Sequence, residues 1–324
     1  MSQVPILEVQ DLTVRFGALT AVDRLSFALA ARETLAIVGE SGCGKSVSAM
    51  AILRLLPATA RLGGRVLFRG QDLVRLDETE LAGLRSRGAA MIFQDPLSAL
   101  NPVMRVGEQI AEVVRRHDGA SRAAARRRAL ELLAQVRITD PERRLDDYPH
   151  RLSGGMRQRV MIAMALAARP ALLIADEATT ALDVTIQAQI LKLLWSLQQE
   201  LGMALILISH DLAVVAEMAD RVLVMYAGRK IEEQPADSFF QRPLHPYSRG
   251  LLRARPVAGH WQEDLAEIPG VVPALDALPA GCAFAPRCAE AIAACHAEAP
   301  PLARHGAGFA ACIRIPQLAL QEAT

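Results

Sequence analysis

The run Gly39-Glu40-Ser41-Gly42-Cys43-Gly44-Lys45-Ser46 constrains this chain more than any other segment. It fits the pattern G-x-x-x-x-G-K-[ST], and its setting fits as well. An apolar stretch at 34–38 reads as a strand leading in, and 45–56 reads as a helix leading out. Closely set glycines let successive backbone N–H groups turn inward and cradle phosphate oxygens. The new helix adds unpaired N–H groups and the positive end of its dipole. Lys45 supplies a mobile charge for β- and γ-phosphates, and the Ser46 hydroxyl can reach Mg²⁺. Only three lysines (Lys45, Lys192, Lys230) stand among 36 basic residues. A planar guanidinium does not replace a compact ammonium here, so lysine in an arginine-using chain reads as a choice of geometry. The alternative is an ordinary glycine-rich turn, which would need neither the flanking elements nor the Lys-Ser pair.

The 324 residues allow about two domains, and 52% hydrophobic content is ample for a core. A net charge of +1 gives no field that would draw nucleic acid, and no nucleic-acid partner is expected. The basic stretch Arg122-Ala-Ala-Ala-Arg-Arg-Arg128 reads as a solvated helix face. No basic-then-apolar leader opens the sequence. The longest apolar run, 160–168, falls far short of the roughly 20 residues needed to span a bilayer. A soluble or peripheral protein is expected.

Alternation predicts strands at 6–14 and 25–29, with another at 64–70. Short buried strands are expected at 89–93, 171–175, 204–208 and 221–226. Helical patterns cover 78–85, 106–116, 122–136, 152–168, 186–201 and 212–219. Alternating strands and helices make an α/β core with a partly parallel sheet. The stretch 95–160 reads as an all-helical subdomain. Prolines thicken from 235 onward and four of five cysteines follow 280, which marks 235–324 as a separate extension.

Two more segments carry chemistry. Leu172-Leu-Ile-Ala-Asp176-Glu177 is a buried strand ending in adjacent carboxylates. Asp176 is suited to hold Mg²⁺, directly or through water. Glu177 is suited to orient or deprotonate an attacking water. A strand simply ending at solvent would look the same without the phosphate loop. Leu152-Ser-Gly-Gly-Met-Arg-Gln-Arg159 sets a hydroxyl and exposed amides at a helix start, a second anion site or an ordinary N-cap.

Leu-Ser-Gly-Gly-x-x-Gln-Arg is similar to the signature of ATP-binding cassette (ABC) ATPases, and the remaining marks stand where that family has them. The resemblance covers about 5–235. It implies an α/β phosphate-loop NTPase core, a partly parallel sheet with N-terminal antiparallel strands, a helical subdomain and, in this chain, a small cysteine-containing C-terminal extension. Gln94 matches the glutamine that senses Mg²⁺ and the attacking water and links to the membrane partner. Ala181-Leu-Asp183 looks like the D-loop, and His210 looks like the switch histidine that contacts the γ-phosphate. Phe16 stands where an aromatic stacks on adenine. By the same resemblance, Ser153 and Gly155 contact ATP held by a second cassette. One departure is Ala178, where proline is usual after the carboxylates. It restores a backbone N–H and loosens the following loop.

The tail carries a narrower resemblance. His245-Pro-Tyr-Ser-Arg-Gly-Leu-Leu252, Ile268-Pro-Gly-Val-Val-Pro-Ala-Leu275 and Gly281-Cys-Ala-Phe-Ala-Pro-Arg-Cys288 look like the tail of dipeptide/oligopeptide importer ATPases, a group that also includes nickel and glutathione importers. The resemblance implies ATP hydrolysis coupled to peptide uptake at the cytoplasmic face of the inner membrane. The implied partners are a second, paralogous cassette, two transmembrane permease subunits and, indirectly, an extracytoplasmic binding protein. A soluble ABC ATPase acting on DNA or ribosomes is the competing class. It lacks support from a long coiled coil, a second cassette or any use for the tail.

Cys282, Cys288, Cys295 and Cys312 follow spacings of x5, x6 and x16, unlike the paired C-x2-C of a zinc ribbon. Four thiolates satisfy a [4Fe–4S] cluster, and tails of the resembled group can carry one. A four-thiolate zinc site and simple packing are the alternatives; His296, beside Cys295, reads as an exposed side chain before it reads as a substitute ligand. Cys43 reads as a small residue in a tight turn, open to oxidation.

Overall fold

The computed structural model describes residues 4–95, 99–178, 183–254 and 267–315. The expected D-loop residues Ala181 and Leu182 lie outside the described residues. Strands in chain order are β1 (Leu7–Phe16), β2 (Leu19–Leu29), β3 (Thr34–Val38), β4 (Ala60–Phe68), β5 (Gln71–Asp72), β6 (Ala89–Ile92), β7 (Leu172–Asp176), β8 (Ala204–Ile208), β9 (Arg221–Tyr226), β10 (Arg229–Pro235), β11 (Ala303–His305) and β12 (Gly308–Ala310). The chain forms two compact units. One takes residues up to Ile6, Leu29–Glu33 and Arg75–Ile208; the other takes Leu7–Ala28, Thr34–Val74 and the chain from Ser209 on.

In the first unit β6, β7 and β8 run parallel, with Leu172 opposite both Ala89 and Ala204. Every residue of β7 and β8 is buried, as expected of apolar runs covered on both faces. The helical region holds Val106–Asp118, Arg122–Gln135 and Gly154–Ala167. Gly119 takes a left-handed φ of 62° and ends the first of these, with Arg115, Arg116 and His117 complementing the dipole in its last turn. The basic stretch lies on the exposed side of the next helix, where Arg122 pairs with Glu108 and Arg126 with Asp146.

In the second unit, β2, β1, β4 and β5 form an antiparallel sheet. β3 runs parallel to β9, and the hairpin of β9 and β10 continues through β12 to β11. The tail is built into this unit. Tyr247 and Phe284 pack edge-on against Tyr226 at centroid distances of 4.8 and 5.4 Å.

β10 runs against expectation, because the sequence there is charged. Glu232 is fully buried. Its carboxylate accepts from the N–H groups of Leu244 and His245 at 2.8 and 2.7 Å and from Gln234 Nε2 at 2.7 Å. These bonds let a carboxylate occupy the interior and anchor the start of the tail. Burial raises the pKa of Glu232. Beside it, burial and the nearby Arg249 lower that of His245 from 6.5 to about 3.

The two signs oppose. A depressed histidine pKa contributes stability above 6.5 that is lost as pH falls from 6.5 toward 3. A raised carboxylate pKa contributes stability at low pH that is lost as pH rises through the folded value. Between pH 7 and 5 the histidine lowers stability as pH falls while the raised carboxylate opposes it, so a variant without the histidine isolates its share. His245→Asn keeps a cap for the Tyr247 N–H, which His245 Nδ1 accepts at 3.0 Å, but cannot titrate. The fall in thermal midpoint from pH 7 to 5 should be shallower in this variant than in the parent chain. Equal slopes would show that His245 does not set the acid response.

Candidate nucleotide site

The phosphate loop sits between β3 and the helix Lys45–Ile52. Gly39 has a φ of 150°, and a Cβ there would lie 2.3 Å from the Met225 carbonyl oxygen, so only glycine lets the loop cross β9. The Lys45 side chain folds back along the loop. Its Nζ donates to Gly39 O at 2.8 Å and Glu40 O at 3.0 Å, with Cys43 Sγ at 3.8 Å. Lys45 is only 5% exposed, and among the described residues it has no carboxylate partner. Neutral carbonyls orient the Lys45 side chain without a counter-charge, so its N–H donors suit an anionic ligand such as a triphosphate. Ser46, the expected Mg²⁺ ligand, lies on the first turn of the helix.

Cys43 is fully buried, and burial pushes its thiol up while Lys45 pulls the other way. The expected openness to oxidation is therefore corrected: this sulfur fills the turn and is kept from solvent. Phe16 ends β1, half-buried and paired with Ala60 on β4.

In the other unit, β7 delivers Asp176 buried at its end and Glu177 just beyond. Glu177 holds a left-handed φ of 45°, uncommon for a side-chain-bearing residue and of order 1–3 kcal/mol in cost. Its N–H donates to Ile208 O at 3.0 Å. Gln94, exposed just past β6, donates from Nε2 to Glu177 Oε2 at 2.9 Å. Two residues 83 positions apart, singled out for one water, thus meet in a direct hydrogen bond. Ala178 is buried, and the loop it was expected to loosen, 179–182, lies outside the described residues.

Ser153 caps the helix Gly154–Ala167, its Oγ accepting from Met156 N at 3.3 Å. The hydroxyl hydrogen remains as a donor for an anion. Gly155 faces the helix Val184–Leu201: a Cβ there would stand 2.7 Å from Ile186 Cγ2. Its first role is close helix packing, a constraint the resemblance to a nucleotide contact does not express. Gly155→Ala should cost about 1–3 kcal/mol by overpacking, and Gly155→Ala/Ile186→Ala should recover part of that loss in thermal midpoint. A single variant as stable as the parent would refute the packing role.

His210, exposed, lies two residues past the end of β8. Cys282, Cys288, Cys295 and Cys312 gather in the tail. Cys282 N–H donates to Cys295 O at 2.8 Å, and the other three thiols add to the upward push that burial exerts on Cys312, to about 11. Even so, among the described residues no three His, Cys, Asp or Glu side chains are arranged to hold a metal ion. The expected cluster ligands share a neighbourhood without closing around a common centre.

Sequence reasoning missed Tyr247 and Arg287. Tyr247 Oη accepts the Glu40 N–H at 2.9 Å, and Arg287 pairs with the Glu40 carboxylate. Both lie within the quoted tail motifs, but nothing in the sequence ties them to a loop more than 200 residues earlier.

The sequence matches the family model for ABC transporter over residues 22–180. It is 53% identical over 302 residues to the dipeptide transport ATP-binding protein DppD of Escherichia coli, covering 92% of each chain. The chain belongs to the ABC transporter ATP-binding proteins. A second model, for the C-terminal region of oligopeptide/dipeptide transporters, matches residues 231–295. The oligopeptide transport ATP-binding protein OppD of Salmonella typhimurium is 51% identical, with 95% of this chain and 93% of that one covered. Among solved structures, a dimeric post-hydrolysis state of the ATP-binding cassette MJ0796, bound to ADP and Pi, aligns at a TM-score of 0.64. It is 29% identical over 71% of this chain and 98% of its own. The ABC membership accounts for an α/β cassette with ATPase chemistry. No helix among the described residues is long and apolar enough to cross a membrane.

Proposed function

We propose that this ABC ATPase energises the import of di- or oligopeptides, as one of two cassettes beneath two transmembrane permease subunits. It would work as a peripheral protein on the cytoplasmic face of the inner membrane. The carrying observation is the tail. Residues 231–295 match the peptide-transporter C-terminal region, and Tyr247 and Phe284 from that stretch pack on Tyr226 at the end of β9. We take 1–234 as the nucleotide-binding part and 235–324 as the importer-type extension. Import of nickel or glutathione is the neighbouring reading, and substrate choice would rest with the permeases and the binding protein that feeds them.

In this reading Lys45 and the loop amides hold the triphosphate, and Phe16 stacks on adenine. Mg²⁺, held by Ser46 and Asp176 with Gln94 sensing it, would neutralise phosphate charge. Glu177 takes the proton of the attacking water, oriented by Gln94, and His210 reads the γ-phosphate. Ser153 and Gly155 serve ATP held by a second cassette, a role in keeping with the dimeric state of MJ0796. Closing two cassettes on ATP would move the permeases, and hydrolysis would reset them. Co-purification from native membranes in mild detergent, read by mass spectrometry, should recover two permeases and a second cassette. Recovery with ribosomes or DNA would overturn the proposal.

The cysteines favour a second element. Four thiols in one neighbourhood of the tail match the donor count of a [4Fe–4S] cluster. Anaerobically purified protein should be brown and contain iron. A colourless, iron-free preparation sinks the cluster, and zinc in its place makes the site structural.

A further inference from the structure

Glu40 is an odd residue for its place. The chemistry of the phosphate loop calls on its glycines, Lys45 and Ser46, whereas a carboxylate at the second position sets negative charge beside the bound phosphates. Such repulsion is strong wherever water is excluded. The tail meets this charge directly. Arg287, on the turn Ala285–Arg287, has a side chain only 6% exposed. Its Nη1 donates to Glu40 Oε2 at 2.7 Å and its Nη2 to Oε1 at 3.0 Å, a bidentate pair.

The remaining donors are also used. Nε reaches Pro269 O at 2.8 Å, Nη2 also reaches Ile268 O at 3.3 Å, and Nη1 also reaches Tyr226 Oη at 3.3 Å. The guanidinium is therefore fixed by the tail and by β9 before it touches the loop. The Glu40 backbone is held as well: its N–H donates to Tyr247 Oη, and its carbonyl accepts Lys45 Nζ at 3.0 Å and the Cys43 N–H at 3.3 Å. One residue thus joins the tail arginine to the phosphate-binding lysine. The segment 270–275 also borders Ser41 and Gly42 across a cavity of about 600 Å³, so the tail forms a wall of the loop's surroundings.

We propose that Arg287 is a positioning residue for ATP: by pairing both oxygens of Glu40 it cancels a carboxylate at the phosphate loop and holds the Glu40 carbonyl where it orients the Lys45 ammonium. The role rests on ATP binding by this chain and is independent of what the transporter carries. It makes the importer-type tail part of the nucleotide site.

The test is a double-mutant cycle on the full-length chain, with MgATP affinity and thermal midpoint measured for each variant. The parent chain is measured first; if it binds no ATP, the ATPase reading itself fails, a result distinct from those below. Arg287→Ala should weaken ATP binding about tenfold or more, and Glu40→Gln/Arg287→Ala should recover most of that loss, because the uncancelled charge has gone. Hydrolysis at saturating ATP should change less than KM. Unchanged affinity in Arg287→Ala overturns the proposal. So does an equal loss in the single and double variants, which would mark Arg287 as a packing residue. Should Arg287→Ala fail to fold, Arg287→Lys keeps the charge but loses the fork, and an intermediate KM is then expected. Parent-like KM in that folded variant also overturns the proposal.

Discussion

Glu177→Gln should bind ATP within about twofold of the parent chain and hydrolyse it at least 100-fold more slowly, the range of a lost general base. The substitution keeps the shape of the side chain, so the structure supplies its own control. Glu177 is fixed at three points: its φ of 45°, its N–H on Ile208 O and its Oε2 on Gln94 Nε2. A glutamine can keep all three, since its amide oxygen also accepts from Gln94. What it cannot do is take a proton. The left-handed backbone makes a second variant informative. Glu177→Gly removes side-chain strain at that φ and should hold or raise the thermal midpoint while losing hydrolysis equally. Multiple-turnover phosphate release and equilibrium ATP binding check both. Hydrolysis in Glu177→Gln within fivefold of the parent would remove Glu177 from the role of base.

The parts of this site that could be read from the sequence are those whose chemistry is local. The loop glycines and Lys45 lie within eight residues, and the covered strands β7 and β8 announce themselves as unbroken apolar runs. Where tertiary partners decide, the pattern misleads. The helix after the loop was expected to reach 56 but ends at Ile52, because Arg54 takes a φ of 51° and the Leu55 N–H turns back to Met50 O. The strand expected from 64 begins at Ala60, since it pairs across to the end of β1 at Phe16; glycines at 63 and 64 hid its first half. β10 was missed because Glu232 and Glu233 look solvent-bound, and the N–H groups that satisfy Glu232 come from a turn about ten residues later. The Glu40 pair with Arg287 spans 247 residues, and a single sequence holds no local trace of it.

Lys45→Arg should lose ATP almost as completely as Lys45→Ala, with a rise in Kd of at least about 100-fold in either. If the loop needed only positive charge, arginine would serve, and this chain uses arginine nearly everywhere else. The geometry argues otherwise. The ammonium sits 2.8 Å from Gly39 O and 3.0 Å from Glu40 O, with Cys43 Sγ 3.8 Å away, in a space that is almost closed. Its donors spread tetrahedrally, so it can hold two carbonyls on one side and a phosphate oxygen on the other. A guanidinium spreads its donors in a plane and is broader. To fit, it must push against the Gly39 backbone, which already has Met225 O and Cys43 Sγ too close to admit even a Cβ. The loop would open or the arginine would leave it, and either outcome takes the charge from where the phosphates lie. Titration calorimetry with MgATP on both variants decides the matter. Arginine binding within tenfold of the parent, beside a silent alanine variant, would mean that charge alone selects the residue.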